Sequence, residues 1–269
     1  MFRKLIAGLL ILIALSGCGI HQKTDGDQWS RIKKQGYVII GVDDTFVPMG
    51  FRAKSNALVG FDVDLARALF KLYGIRVDFQ NIDWDMKETE IRNQTIDLIW
   101  NGYTKTTNRQ KVILFSNTYM KNSQELVTLK ASGITSFADM KGKIVGIQNG
   151  SSGYDAYNDQ PKVLKQYITA APVLFENFNE AFMDLDAKRI DGVMIDGVYA
   201  HYILNKSANK ANYQEVTVGF ESEDFVVGAR KNDKELIAKI NEGFLKLRET
   251  GAFQKISQKW FGTDVWPGE

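Results

Sequence analysis

Cysteine occurs once in this 269-residue chain, histidine twice and proline four times. A single cysteine excludes an internal disulfide. With only two histidines it also excludes the closely spaced Cys/His sets of structural zinc sites. Four prolines, 23 glycines and no low-complexity stretch exclude a fibrous or Pro-rich disordered chain. An excess of one charge is missing too: 34 Lys+Arg face 32 Asp+Glu, for a net charge of +2. That balance gives no electrostatic case for nucleic acid as a partner. No apolar run approaches the roughly 20 residues of a membrane-spanning helix. Gly-x-Ser-x-Gly, Walker and metal-spacing motifs are absent, so no catalytic residue, metal or cofactor is expected.

What is present begins with an N-terminal targeting pattern. Arg3 and Lys4 precede Leu5–Leu15, 11 apolar or small residues, and then Leu15-Ser16-Gly17-Cys18. The length fits the core of a signal peptide, residues 1–17. The last four residues resemble the lipobox of bacterial lipoproteins, which implies acylation of Cys18. Two acyl chains at about 0.8 kcal/mol per buried CH₂ hold a protein stably to a membrane. Cleavage would remove Arg3 and Lys4 and leave basic and acidic residues equal in number. Residues 18–30 read as a largely polar tether.

The rest, 44% hydrophobic and 25% charged over the whole chain, is ordinary globular composition. Apolar strand runs alternate with helical periodicity. Tyr37–Val42 is a buried-strand run, and Phe61–Tyr73 carries Phe61, Leu65, Ala68, Leu69 and Leu72 on one helical face. Ile75–Phe79 alternates like a strand, Met86–Gln94 reads as a helix, and Ile96–Trp100 as a further strand. A second series follows: strand Lys143–Ile147, helix Ser152–Gln166, strand Pro172–Phe175, helix Asn179–Lys188 and strand Asp191–Ile195. Asp233–Arg248 is strongly amphipathic. Two successive βαβαβ series imply two α/β lobes with mostly parallel sheets.

Ligands of open α/β sheets bind beyond the carboxyl ends of strands. Those ends here carry Asp43-Asp44, Asn101 to Thr104, Gln148 to Gly153, and Asp196-Gly197. Thr104 and Arg109 follow one strand, with a helix start at Thr106 or Thr107, an arrangement suited to one anion. An amino-acid zwitterion needs such a pairing: a guanidinium for its carboxylate and an acid for its ammonium.

Val42-Asp43-Asp44-Thr45-Phe46-Val47-Pro48, Gly60-Phe61-Asp62-Val63-Asp64-Leu65, Asp97-Leu98-Ile99 through Arg109, Phe115-Ser116-Asn117-Thr118-Tyr119 and Lys259-Trp260-Phe261-Gly262 recur in this order over Tyr37 to Gly262. In these segments the sequence resembles the polar amino-acid-binding proteins of ABC importers, the glutamine-, histidine- and lysine/arginine-binding family. The resemblance implies a periplasmic-binding-protein-like α/β fold, two lobes joined by a two-strand hinge with the ligand cleft between them. It assigns residues 31–121 plus 222–269 to lobe 1 and 124–218 to lobe 2, and implies a monomer. Phe46 and Trp84 match aromatics on opposite sides of the ligand. Gly102 matches a carbonyl for the ammonium, Thr104 a contact near the carboxylate, and Arg109 the carboxylate clamp. Ser152 matches a backbone N–H to the carboxylate, Asp196 the partner of the ammonium, and Asp43 the acid at the ligand side chain. Asp62 and Asp64 read as helix-start residues.

Gln148 stands where some relatives carry lysine, Met49 where an aromatic is usual, and Asn101 where a small residue is usual. Asp43 without a nearby lysine favours a basic or neutral polar ligand. The implied function is capture of a polar amino acid outside the cytoplasm and delivery to an importer's permease. An enzyme on the same fold, of the cyclohexadienyl dehydratase kind, is one alternative; a sensor or adhesion lipoprotein is the other. His201, in a helical stretch, reads as a packing residue.

Overall fold

The computed structural model describes residues 26–206, 210–217 and 219–268. Cys18 and the expected signal peptide lie outside the described residues.

Two five-stranded sheets carry the architecture. In the first, Tyr37–Val42 pairs in parallel with Arg76–Asn81 on one side and Leu98–Ile99 on the other. Gly228–Arg230 then adds antiparallel to Leu98–Ile99 and to Ile113–Phe115. In the second, Val145–Gln148 lies parallel to Val173–Phe175 and Gly192–Asp196. Gln124–Leu129 runs antiparallel between Gly192–Asp196 and Tyr213–Val216. Each sheet is thus a parallel core with antiparallel additions, and the additions come from segments that enter or leave the lobe.

The chain passes between the sheets through Met120–Asn122 and Glu223–Phe225, which pair antiparallel with Glu223 opposite Asn122. Two hydrogen-bonded strands make a narrow joint, the geometry from which hinge motion is built. The protein has a periplasmic-binding-protein-like fold with two sheet-containing α/β lobes.

Local rules account for the helices. Phe61–Lys71 buries Phe61, Leu65, Ala66, Leu69 and Phe70 and holds Asp62 and Asp64 in its first turn. Lys234–Glu249 buries Leu236, Ile237, Ile240, Phe244 and Leu247. Around them Trp100, Tyr119, Phe244, Phe253 and Trp266 form tilted, edge-on and stacked ring pairs.

The helix expected over Ser152–Gln166 ends at Asp159, and a short 3-10 turn follows at Lys165–Tyr167. Pro161 is the reason: it disfavours helical backbone at the preceding residue and lacks an N–H. The expected tether is shorter as well. Trp29 is buried edge-on against Tyr73, with ring centroids 5.1 Å apart, and the Gln28 N–H donates to Asp233. The packed body therefore starts ahead of residue 31.

Candidate functional site

One cavity opens between the two sheets' strand ends. Its lining includes Asp43, Phe46, Trp84, Gly102 and Arg109 from one side and Gln148, Ser152 and Asp196 from the other. Eight of the nine binding positions inferred above therefore face one hollow. Thr104 is the exception. It is buried one layer back, where its carbonyl accepts from Arg109 at 2.9 Å and its hydroxyl lies 3.0 Å from that of Ser152. Asn101 and Ser151 complete the wall.

The local chain geometry explains these placements. The strand Tyr37–Val42 stops at Asp43, whose Oδ1 accepts from the Thr45 N–H and hydroxyl at 3.0 and 2.6 Å. The Asn101 side chain accepts from the Asp43 N–H at 2.9 Å, joining two neighbouring strand ends. Gly102 has φ +59°, and a Cβ there would stand 2.6 Å from Phe46 Cε1. Only glycine satisfies both the left-handed backbone and that approach. Thr106 caps Thr107–Gln110 through its hydroxyl, which accepts from the Arg109 N–H. Ser151 caps Ser152–Asp159, accepting from the Tyr154 N–H, so Ser152 opens that helix on the cavity wall.

Arg109 is 6% exposed. Its guanidinium donates to the Thr104 carbonyl and, across the cleft, to the Gly150 carbonyl at 3.0 Å. Glu88 lies 3.5 Å from its Nε, and the Tyr103 ring lies beneath it at 4.7 Å. Lys87, almost fully buried, reaches the same Gly150 carbonyl at 2.8 Å. Burial, then the nearby Arg109 charge, brings its pKa down to about 8. Gly150 thus receives two cationic side chains from the opposite lobe.

Acids gather at the other end. Asp196 accepts from Asn122 at 2.6 Å and Gln124 at 3.0 Å. Glu223, on the returning hinge strand, accepts from the same two amides at 3.2 and 3.0 Å and lies within reach of the Ser152 and Thr104 hydroxyls. Burial raises the pKa of Asp196, and the Glu223 charge raises it further; burial raises Glu223 likewise. Asp43 is also raised, chiefly by burial. One added positive charge would stabilise the ionised form of the Asp196–Glu223 pair.

Asp62 is more than a helix-start acid. It is 1% exposed, accepts from the Gly102 N–H at 2.7 Å and from the Tyr119 hydroxyl at 2.9 Å, and so fixes the glycine of the cavity wall. Burial lifts its pKa to about 7. Asp64 instead accepts from Lys259 and from the Trp260 ring N–H, tying its helix to Ala252–Phe261.

Several contributors gave no sequence signal. Glu223 and Asn122 come from the inter-lobe strands and Gln124 from the start of the adjoining second-sheet strand, where no motif marks them. Phe178 and Tyr199 pack on Phe46 at 5.8 and 5.6 Å, closing one flank of the cleft with rings from the second lobe. Met49 is fully buried and stands apart from the cavity lining.

Residues 38–263 match the pattern of the bacterial extracellular solute-binding proteins, family 3. An ABC uptake transporter substrate-binding protein from Streptococcus pneumoniae, solved with bound histidine, is 51% identical. It superposes with a TM-score of 0.89 over 91% of this chain and 100% of that one. A polar amino acid ABC uptake transporter substrate-binding protein from Streptococcus thermophilus is 54% identical, with a TM-score of 0.60 over 92% of this chain and 94% of that one. The ABC transporter arginine-binding protein 1 of Escherichia coli (strain K12) is 30% identical over 223 residues, covering 82% of this chain and 89% of its own.

Proposed function

The chain belongs to the bacterial extracellular solute-binding proteins, family 3, and from that premise we propose that it binds a basic or neutral polar L-amino acid between its lobes. It is the substrate-binding component of an ABC-type amino-acid importer, and its relatives bind histidine and arginine. The observation that carries the reading is that Arg109 and Asp196, from opposite lobes, line one buried cavity.

In this reading Arg109 takes the ligand carboxylate through a charge-assisted fork, aided by the start of the helix at Ser152 and by Thr104 behind it. Asp196 takes the ammonium, together with the Gly102 carbonyl. Phe46 and Trp84 flank the ligand body. Asp43 and Gln148 meet its side chain, and an acid without a facing lysine suits imidazole, guanidinium or amide groups. Lobe 1 is residues 31–121 plus 222–269, preceded by the packed segment at Trp29, and lobe 2 is 124–218. Only the closed form presents both partners at once, so ligand shifts the population toward closure.

The ligand leaves unchanged on this account. Cavity-lining acids serve charge pairing, and His201 stands outside the cavity lining. We read Cys18 as the lipid-bearing N-terminus of a monomer tethered to the outer face of the cell membrane. Among the described residues no helix is long and apolar enough to cross a membrane.

A thermal-shift screen against the twenty amino acids, cystine and ornithine tests the reading. A large rise in Tm with one or a few basic or neutral polar amino acids is expected, because a ligand at 100 times its Kd stabilises by about 2.7 kcal/mol. No shift with any of them would overturn it.

A further inference from the structure

Behind the cavity, on the far side of Asp196, lies a second cluster of donors. Glu125 and Glu215 sit on the neighbouring antiparallel strands Gln124–Leu129 and Tyr213–Val216, where Glu215 opposes Val127. Residues 125 and 127 share a face of their strand, so the two glutamates point to one side. His201 comes to that side from the helix Gly197–Lys206. Its Nε2 lies 3.6 Å from a carboxylate oxygen of each glutamate, and one donor atom from each of the three lies within 4.8 Å of the others.

At 3.6 Å neither His201 contact is a hydrogen bond. Oε2 of Glu125 and Oε2 of Glu215 are both buried without a hydrogen-bond partner. Glu125 is only 4% exposed; burial and the facing Glu215 charge raise its pKa to about 8, and a cation held between the two carboxylates would favour their ionised forms. His201, by contrast, has a 58% exposed side chain, so the cluster is open to solvent at the imidazole.

We propose that Glu125, His201 and Glu215 form a binding site for a divalent transition metal, zinc above all, on the second lobe. Zinc takes imidazole and carboxylate ligands at about 2.0–2.2 Å in a tetrahedral array, which puts donor atoms roughly 3.3–3.6 Å apart. Both His201 separations already meet that spacing. Three protein ligands leave a fourth position for water. A nitrogen ligand and a low ligand count disfavour magnesium and calcium, which take six or more oxygens. The three residues lie far apart in sequence, so no local spacing motif announces the site. A bound ion would brace the helix that follows Asp196 against the strands carrying Glu125 and Glu215, without touching the amino-acid cavity.

Zinc alone, titrated calorimetrically into the chelator-stripped full chain, tests this. Wild type should bind one equivalent with a rise in Tm, and the Cys18→Ser/His21→Ala variant should do the same. His201→Ala and Glu215→Gln should each weaken zinc binding at least tenfold and lose the Tm rise. His201→Ala, an exposed helical position, should keep wild-type amino-acid binding. Absence of zinc binding in wild type, or equal binding in both site variants, would overturn the proposal. Loss only in the Cys18→Ser/His21→Ala variant would overturn it as well. Amino-acid affinity is read separately, so the metal site and the transport reading fail independently.

Discussion

Nε2 of Gln148 donates to Oδ2 of Asp43 at 2.9 Å, joining the strand end of one lobe to the strand end of the other. Gln148 also donates to the Glu176 carbonyl at 3.0 Å, so its amide is anchored within its own lobe. This contact sits where the ligand side chain is expected, and it sets a selectivity test. Asp43→Asn should weaken histidine or arginine binding tenfold or more while sparing glutamine, because it removes the negative charge but keeps a polar group of the same size. Parallel titrations of the three amino acids check it; equal losses for all three would contradict the assignment of Asp43 to the side chain.

The acid pair predicts a pH effect. Asp196 in the closed cleft is held above its ordinary pKa by burial and by Glu223. A ligand ammonium beside it favours the ionised form and lowers that pKa again. Between the two values binding must expel a proton, so affinity rises with pH through that window. Calorimetry at about pH 6, in buffers of different ionisation heat, should show proton release, and Glu223→Gln should reduce it. Buffer-independent heats in wild type would count against this arrangement.

Asp62 makes a separate prediction about stability. Its pKa is about 7 in the folded chain against 3.8 ordinarily, so the folded state holds a proton that the unfolded state releases. This contribution is fully present at low pH and declines as pH rises toward about 7, by an amount on the order of a few kcal/mol. Asp62→Asn keeps an acceptor for the Gly102 N–H. It should flatten the fall in Tm between about pH 4 and about pH 7. A variant whose Tm follows pH as wild type does would contradict the burial argument.

Much of this was legible in the sequence because it rests on local rules. Apolar periodicity marks Tyr37–Val42 and Phe61–Lys71. Polar residues at the strand ends mark Asp43, Gln148 and Asp196, since a strand that stops at a cavity must change character there. What stayed hidden depends on contacts between distant segments. Glu223 meets Asp196 only because the chain returns through a second hinge strand, and Lys87 meets Gly150 only when the lobes are closed. Asp62 looks from sequence like any acid in a helix's first turn; its burial beneath Gly102 needs the whole lobe. The helix that opens at Ser152 ends at Asp159 because Pro161 stops it, a local signal that apolar periodicity alone overruns.

In the proposed mode of binding two opposite charges, Arg109 and Asp196, one from each lobe, neutralise a zwitterion. Calorimetric titration of the amino acid that gives the largest thermal shift, into wild type, Arg109→Ala and Asp196→Asn, tests this most directly. Removing one partner of a buried charge pair should cost about 2–3 kcal/mol or more, roughly 30- to 150-fold in Kd, in each variant. An Arg109→Ala protein that binds as tightly as wild type would contradict the account.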